Sequence, residues 1–218
     1  MTQGSVLKPI LFLLYVADLL QLVKRHELRP HCYADDTQIY GFCDPSDVDA
    51  LQERLLVCID EVFSWMMSNR LQLNPSATEV LWCSSARRQH QILTGPVRVG
   101  DTSVQLVRTV RDLGVYIDAD VTMSAHVTAV VKACFTALCQ IRSVRRSLTR
   151  ITLLTLVHAL VVTKVDYCSS VLLGISGQLL QRLQSIFNAA ARLVFSARKS
   201  EHITPLLCEL QTTTTTTI

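Results

Sequence analysis

Two adjacent carboxylates, Asp35 and Asp36, stand in the run His31-Cys32-Tyr33-Ala34-Asp35-Asp36-Thr37-Gln38-Ile39-Tyr40, between short stretches of strand-forming residues. That pattern predicts a β-hairpin with Ala34-Asp35-Asp36-Thr37 as its tight turn and both acids at its tip. Such a tip suits a hard divalent cation. Mg²⁺ takes oxygen ligands, commonly one or two protein carboxylates plus substrate phosphates, and a pair of such ions can stabilise the attacking and leaving oxygens of a phosphoryl displacement. An Asp-Asp pair also favours turns for local reasons, because its side chains hydrogen-bond nearby backbone, so the dipeptide alone leaves a solvated turn open.

The elements that must hold this tip can be read on either side. Residues 6–23 predict a buried helix with Pro9 in its first turn. Its apolar run is short for a membrane span, is interrupted by Pro9 and Asp18, and has only Lys8 before it, which argues against a signal peptide. Residues 29–33 and 37–42 supply the hairpin strands, and Asp44-Pro45-Ser46-Asp47 opens a helix over 48–69, with Leu51, Leu55, Ile59, Val62, Phe63 and Met66 at helical spacing. Strands are predicted at 78–83, 97–99 and 104–107, the last two joined by Gly100-Asp101, and a further strand over 110–117 closes this half.

From Ser124 the pattern turns helical. Val127, Val130, Val131, Cys134, Leu138 and Ile141 form one apolar face, and Arg142, Arg145 and Arg146 gather at its end, where cations oppose the helix dipole. A second helix is predicted over 150–172, in which Lys164 and Asp166 argue against a membrane span. A third follows Gly174 and Gly177, over 178–197, with Leu179, Leu183, Ile186, Ala190 and Leu193 on its apolar face and Arg182, Arg192, Arg198 and Lys199 as its basic complement.

Charge divides the chain. Residues 1–123 hold 11 Lys and Arg against 15 Asp and Glu, a net −4, and residues 124–218 hold 10 against 3, a net +7. A basic half behind an acidic half suits a protein that grips a phosphate backbone at one end and does metal chemistry at the other, and it equally suits helices merely solvated by arginine. The eight cysteines show no C-x-x-C pair and no ordered Cys/His ligand spacing. They read as small buried thiols in an intracellular, reducing compartment, nucleus or cytoplasm, of a protein that is not secreted.

Tyr33-Ala34-Asp35-Asp36 resembles the catalytic hairpin of reverse transcriptases, and the longer run around it is similar to that of non-LTR, LINE-type retrotransposons. Gln3-Gly4-Ser5-Val6-Leu7-Lys8-Pro9 resembles the family's Q-G-S-V-L-G-P segment, Leu71-Gln72-Leu73-Asn74-Pro75-Ser76-Ala77-Thr78-Glu79 resembles L-Q-L-N-P-S-K-T-E, and Arg111-Asp112-Leu113-Gly114-Val115 resembles the strand that follows. Val165-Asp166-Tyr167-Cys168, Asn188-Ala189-Ala190-Ala191-Arg192 and Glu201-His202-Ile203-Thr204-Pro205 are similar to segments beyond the polymerase core. The resemblance implies an α+β fold. Residues 1–123 would form a partial reverse-transcriptase palm, a hairpin and small antiparallel sheet packed on helices; 124–211 a helical thumb-like region; and 212–218 a low-complexity threonine tail, expected to be disordered.

The resemblance also implies RNA-directed DNA synthesis by two Mg²⁺ ions, with an RNA template, a DNA primer and deoxynucleotides as partners and no membrane. Asp35 and Asp36 would supply metal oxygens, Tyr33 would support the primer end, and Gln3, Gly4 and Ser5 would approach the nascent base pair, glycine letting backbone come close. The family's site also uses an aspartate from an earlier strand, tens of residues before Gln3, and neither Asp18 nor Asp44 has a matching context. Ala77 stands where the family has lysine, and Lys8 where it has glycine. The expectation is therefore an enzyme by ancestry that is inactive alone, a truncated palm and thumb. A nucleic-acid-binding helical fragment and the non-functional product of a decayed element stand as alternatives.

Overall fold

The computed structural model describes residues 7–34, 36–74, 77–85, 95–99, 102–198 and 200–215. The fold is α+β, dominated by helices, with three two-stranded antiparallel sheets among the described residues. The chain forms two compact units, Met1–Arg108 and Thr109–Ile218.

In the first unit, α1 (Leu7–Arg25) leads into β1 (Arg29–Tyr33) and β2 (Asp36–Tyr40), and a 3₁₀ turn at Pro45–Asp47 starts α2 (Val48–Ser68). Leu19, Leu22, Val23 and Leu28 pack with Leu51, Cys58 and Val62 of α2, and Ile39, Cys43 and Trp82 close over them. The predicted apolar spacing of α2 puts Leu51 and Val62 in this core, as an amphipathic helix must. The expectation that α1 is buried holds only for its later turns. Val16, Leu19, Leu22 and Val23 are buried, whereas Ile10, Leu11, Leu13 and Leu14 stay more than half exposed, because the contacts of this core reach only the C-terminal half of the helix.

Three strand predictions change in this unit. β2 starts at Asp36 and ends at Tyr40 where 37–42 was expected, so Asp36 and Thr37 pair in the ladder, opposite Tyr33 and Cys32, and are not part of the turn. β3 (Val97–Val99) is as expected, but its partner β4 (Thr102–Val104) starts earlier than 104; Gly100 and Asp101 lie outside the described residues. Residues 78–83 do not form a regular strand. They make one parallel bridge, Val80 with Leu106, with the Val107 amide donating to the Val80 carbonyl at 3.0 Å. Strand-forming side chains need a neighbour to ladder against, and the described backbone offers only that short one.

The second unit begins with a hairpin where one strand over 110–117 was expected. β5 (Thr109–Asp112) and β6 (Val115–Asp118) pair antiparallel around Leu113 and Gly114, whose φ values of 43° and 86° suit a two-residue hairpin turn. α3 (Ser124–Val144), α4 (Arg150–Val157) and α6 (Gly177–Phe195) then bury Val127, Cys134, Ile141, Val157, Ile186 and Ala190 in one core. By length and composition 124–147 could cross a bilayer, but here one side of α3 is the centre of that helical core.

The helix expected over 150–172 is not continuous. α4 widens into a π turn at His158–Val162, resumes as α5 (Thr163–Asp166), and stops where Cys168 takes a φ of 55°. Tyr167 explains the stop, since its hydroxyl donates to the Leu113 carbonyl at 2.7 Å and pins the chain to the β5–β6 turn. On α6 the buried stripe includes Ala191 and Val194, with the expected Leu193 only partly buried. The threonine tract, expected to be disordered, is helical as far as Thr215 in α7 (Thr204–Thr215), which extends the apolar turn Leu206–Leu207 packed on the core.

Of the eight cysteines only Cys58 and Cys134 are buried; Cys83, Cys139 and Cys208 are exposed and the other three half-buried. The expectation of mostly buried thiols is thereby corrected, since apolar neighbours in sequence need not share a helix face. Burial, with Glu61 adding to it, pushes the Cys58 thiol up to about 11, and burial raises Cys134 against the pull of Lys164. Neither is a nucleophile at neutral pH.

Candidate functional site: the β1–β2 hairpin

The pairing of β1 with β2 runs from Arg29 opposite Tyr40 to Tyr33 opposite Asp36. Tyr33 and Asp36 are the last pair of that ladder and mark the open end of the hairpin. Ala34 carries a φ of 51°, a left-handed conformation that costs a residue with a Cβ about 1–2 kcal/mol. A positive φ is what a tight hairpin turn asks of its residues, as at Leu113 and Gly114 in the second unit, so this conformation marks the turn.

The hairpin is held from behind. Ile39 packs against the core of the first unit, and a Cβ on Gly41 would come within 2.7 Å of Leu51 Cδ1 and 2.8 Å of Leu28 Cδ2, so any larger residue there would have to push the tips of these two leucines aside. On β1 the alternation exposes Arg29, His31 and Tyr33 and half-buries Pro30 and Cys32. Asp36 and Tyr40 are exposed on β2, so the register gathers Arg29, His31, Tyr33, Asp36 and Tyr40 on one open face. Tyr33 is 61% exposed and Phe42, just beyond, 72%. Phe42 meets the Tyr40 ring edge-on at 5.8 Å and takes the Arg29 guanidinium over its face at 5.4 Å.

Of the residues singled out in the sequence, Tyr33 and Asp36 are placed together at the open end of this hairpin. Asp35, Gln3, Gly4 and Ser5 lie outside the described residues. The basic and aromatic flank of Arg29, Tyr40 and Phe42 was not singled out; the signal lay in the pairing of Arg29 with Tyr40 and in the two-residue spacing of Tyr40 and Phe42. The Asp36 carboxylate has the donor chemistry Mg²⁺ prefers, yet among the described residues no three His, Cys, Asp or Glu side chains gather as a metal-ligand set. One described carboxylate does not make a two-ion centre, and no reaction step is routed through an ion here.

A second cluster lies in the other unit and is structural. Asp118, 8% exposed, accepts hydrogen bonds from the Met123 amide at 2.8 Å, the Ala125 amide at 3.1 Å and the Thr122 hydroxyl at 3.1 Å, capping the start of α3. Burial alone would raise its pKa, but the Ala125 and Met123 amides and the Thr122 hydroxyl together hold it below the ordinary carboxylate value. His126, also buried, accepts from the Tyr116 amide through Nδ1 at 3.4 Å, and burial lowers its pKa against the opposing pull of Asp118.

The model of the family described as reverse transcriptase (RNA-dependent DNA polymerase) matches residues 1–117, a span that includes the β1–β2 hairpin and runs into β6. No curated protein and no solved structure matches the chain. The match covers more than half of the 218 residues, and its span holds the Tyr33-Ala34-Asp35-Asp36 motif: the chain belongs to the reverse transcriptase family.

Proposed function

We propose that this chain is the hairpin-bearing portion of the RNA-directed DNA polymerase of a LINE-type retrotransposon, with residues 1–123 as part of the palm and 124–211 as a thumb-like helical region. The observation that carries the reading is the register Tyr33 opposite Asp36, which starts β2 at the second acid of the Tyr33-Ala34-Asp35-Asp36 motif. The LINE-type motifs support it at both ends of the chain, including those beyond the matched span at Val165-Asp166-Tyr167-Cys168 and Asn188-Ala189-Ala190-Ala191-Arg192.

In this reading Asp35 and Asp36 would hold Mg²⁺, which when bound neutralises charge on the reacting phosphate. Tyr33, exposed beside Asp36, contacts the primer end, and Gln3-Gly4-Ser5 borders the nascent base pair. Template RNA and primer DNA run across the open face, where Arg29 offers a cation to phosphate and Tyr40 and Phe42 offer rings to sugar or base. The 218 residues by themselves supply two of the family's three carboxylates, and Ala77 replaces its lysine.

The test joins the chain to a family segment that carries the earlier aspartate. Primer extension on an RNA template is expected in the joined protein and is lost in Asp35→Asn or Asp36→Asn. Extension that persists in both variants would remove the hairpin from the chemistry.

A further inference from the structure

The π turn that interrupts the helix after α4 forms one side of a pocket within the helical unit. Ala159 and Leu160 of that turn, Lys164 and Tyr167 beyond it, and His126 from α3 line a concavity of about 310 Å³. This volume lies at the small end of ligand sites, roughly 300–1,000 Å³. Its apolar walls are open, Leu160 being 45% exposed and Tyr167 53%. The Tyr167 ring is fixed by its hydroxyl on the Leu113 carbonyl, beside Gly114, which also borders the pocket. Walls that are in place beforehand cost a ligand less ordering when it binds.

Two polar groups reach this pocket with donors to spare. Lys164 forms no ion pair among the described residues. His126 is 4% exposed and accepts from the Tyr116 amide on Nδ1, so the neutral ring carries its proton on Nε2. That N–H has no hydrogen-bond partner among the described residues, yet it is not sealed: the sealed, unpartnered side-chain atoms are His26 Nε2 and the Nε of Arg54, Arg145 and Arg192. Capping the start of α3 uses only the other nitrogen of the ring, and a nearly buried donor left over is one that an incoming acceptor can satisfy.

A solvated lysine and a core histidine would each be ordinary alone. Their meeting with two open apolar walls narrows the ligand. One cation and one neutral donor match a single negative charge, and Asp118, close enough to act on His126, disfavours a second. A bare inorganic anion would leave Leu160 and the Tyr167 ring uncovered, whereas a carboxylate on a short apolar body uses both kinds of wall.

We propose that this pocket binds a small monocarboxylate with an apolar body, its carboxylate on the Lys164 ammonium and the His126 Nε2–H and its body against Leu160 and the Tyr167 ring. The site lies within one unit and stands apart from the polymerase reading.

The experiment titrates sodium hexanoate into the isotopically labelled 218-residue chain at constant pH and ionic strength, following the backbone amides and the His126 side-chain nitrogens. Saturable shifts are expected at Gly114, Thr163, Lys164 and His126 Nε2, with a Kd of about 1 mM. Acetate, which lacks the chain, and hexanol, which lacks the charge, should each bind about tenfold or more weakly. Lys164→Met is expected to weaken hexanoate about tenfold, while Lys132→Met, the same change at an exposed cation of α3 outside the pocket, stays within about twofold. Circular dichroism confirms the fold of each variant, and Leu160→Ser, about fivefold weaker, serves if Lys164→Met does not fold.

Hexanoate shifts that never saturate, or that saturate equally in Lys164→Met, would overturn the site. Acetate binding as tightly as hexanoate would overturn the apolar contact, and hexanol binding as tightly would overturn the carboxylate contact. Either result contradicts the proposal and leaves the polymerase reading untouched.

Discussion

Purified as these 218 residues and given a primed RNA template, deoxynucleotides and Mg²⁺ or Mn²⁺, the chain is expected to extend no primer above background. Charge accumulating on a reacting phosphate must be met by groups already in place, and that preorganised electrostatic field is commonly the largest contribution to rate. The described residues bring one carboxylate, Asp36, to the hairpin face, and the sequence adds Asp35 beside it. Ala77 removes a cation or proton donor where the family has lysine, and loss of one general acid costs about 10²–10⁴ in rate. Ala77→Lys alone is therefore expected to recover nothing measurable. Steady incorporation by the unaltered chain, abolished in Asp35→Asn, would show that its own residues complete the centre.

Asp118→Ala is expected to destabilise the helical unit by about 3 kcal/mol, read by urea unfolding followed through helical circular dichroism. Three donors converge on this buried carboxylate, and its removal strands the Met123 and Ala125 amides at the start of the central helix. Acid acts in the same direction. The folded pKa of Asp118 lies below the unfolded value of 3.8, so its contribution is complete above that value and is lost as pH falls through it toward the folded pKa. His126 is held neutral, with a folded pKa below 6.5, so the unfolded chain binds the extra proton and stability declines once pH drops under 6.5. Two stages of acid weakening follow, and His126→Gln should remove the upper one. Stability that is flat between pH 7 and pH 5 in the unaltered chain would contradict this arrangement.

The hairpin was legible because a two-residue period over residues 29–40 leaves little choice of register once the turn is placed, and α2 because its apolar residues recur on one face. What could not be read depends on contacts far apart in sequence. The break after Asp166 is fixed by Tyr167 reaching Leu113, 54 residues earlier, and the β5–β6 turn puts Leu113 at a positive φ that leucine does not advertise. Gly114 was the signal available for that turn. Exposure of the first turns of α1 was equally hidden, since an apolar run says that burial is favourable and not what does the burying. At the site, Tyr33 and Asp36 were legible from their motif, while the aromatic flank needed the strand alternation. Lys164 and Tyr167 were visible in the sequence, but the pocket they line also needs His126 of α3 and Gly114 of the β5–β6 turn.

The most direct measurement is a Mn²⁺ titration of the isotopically labelled chain, with the backbone amide signals of the hairpin followed for paramagnetic broadening. The account predicts selective broadening at Tyr33, Ala34 and Thr37 that disappears in the Asp35→Asn, Asp36→Asn double variant. Hairpin signals that stay sharp while Mn²⁺ broadens other acidic stretches equally in both proteins would contradict it.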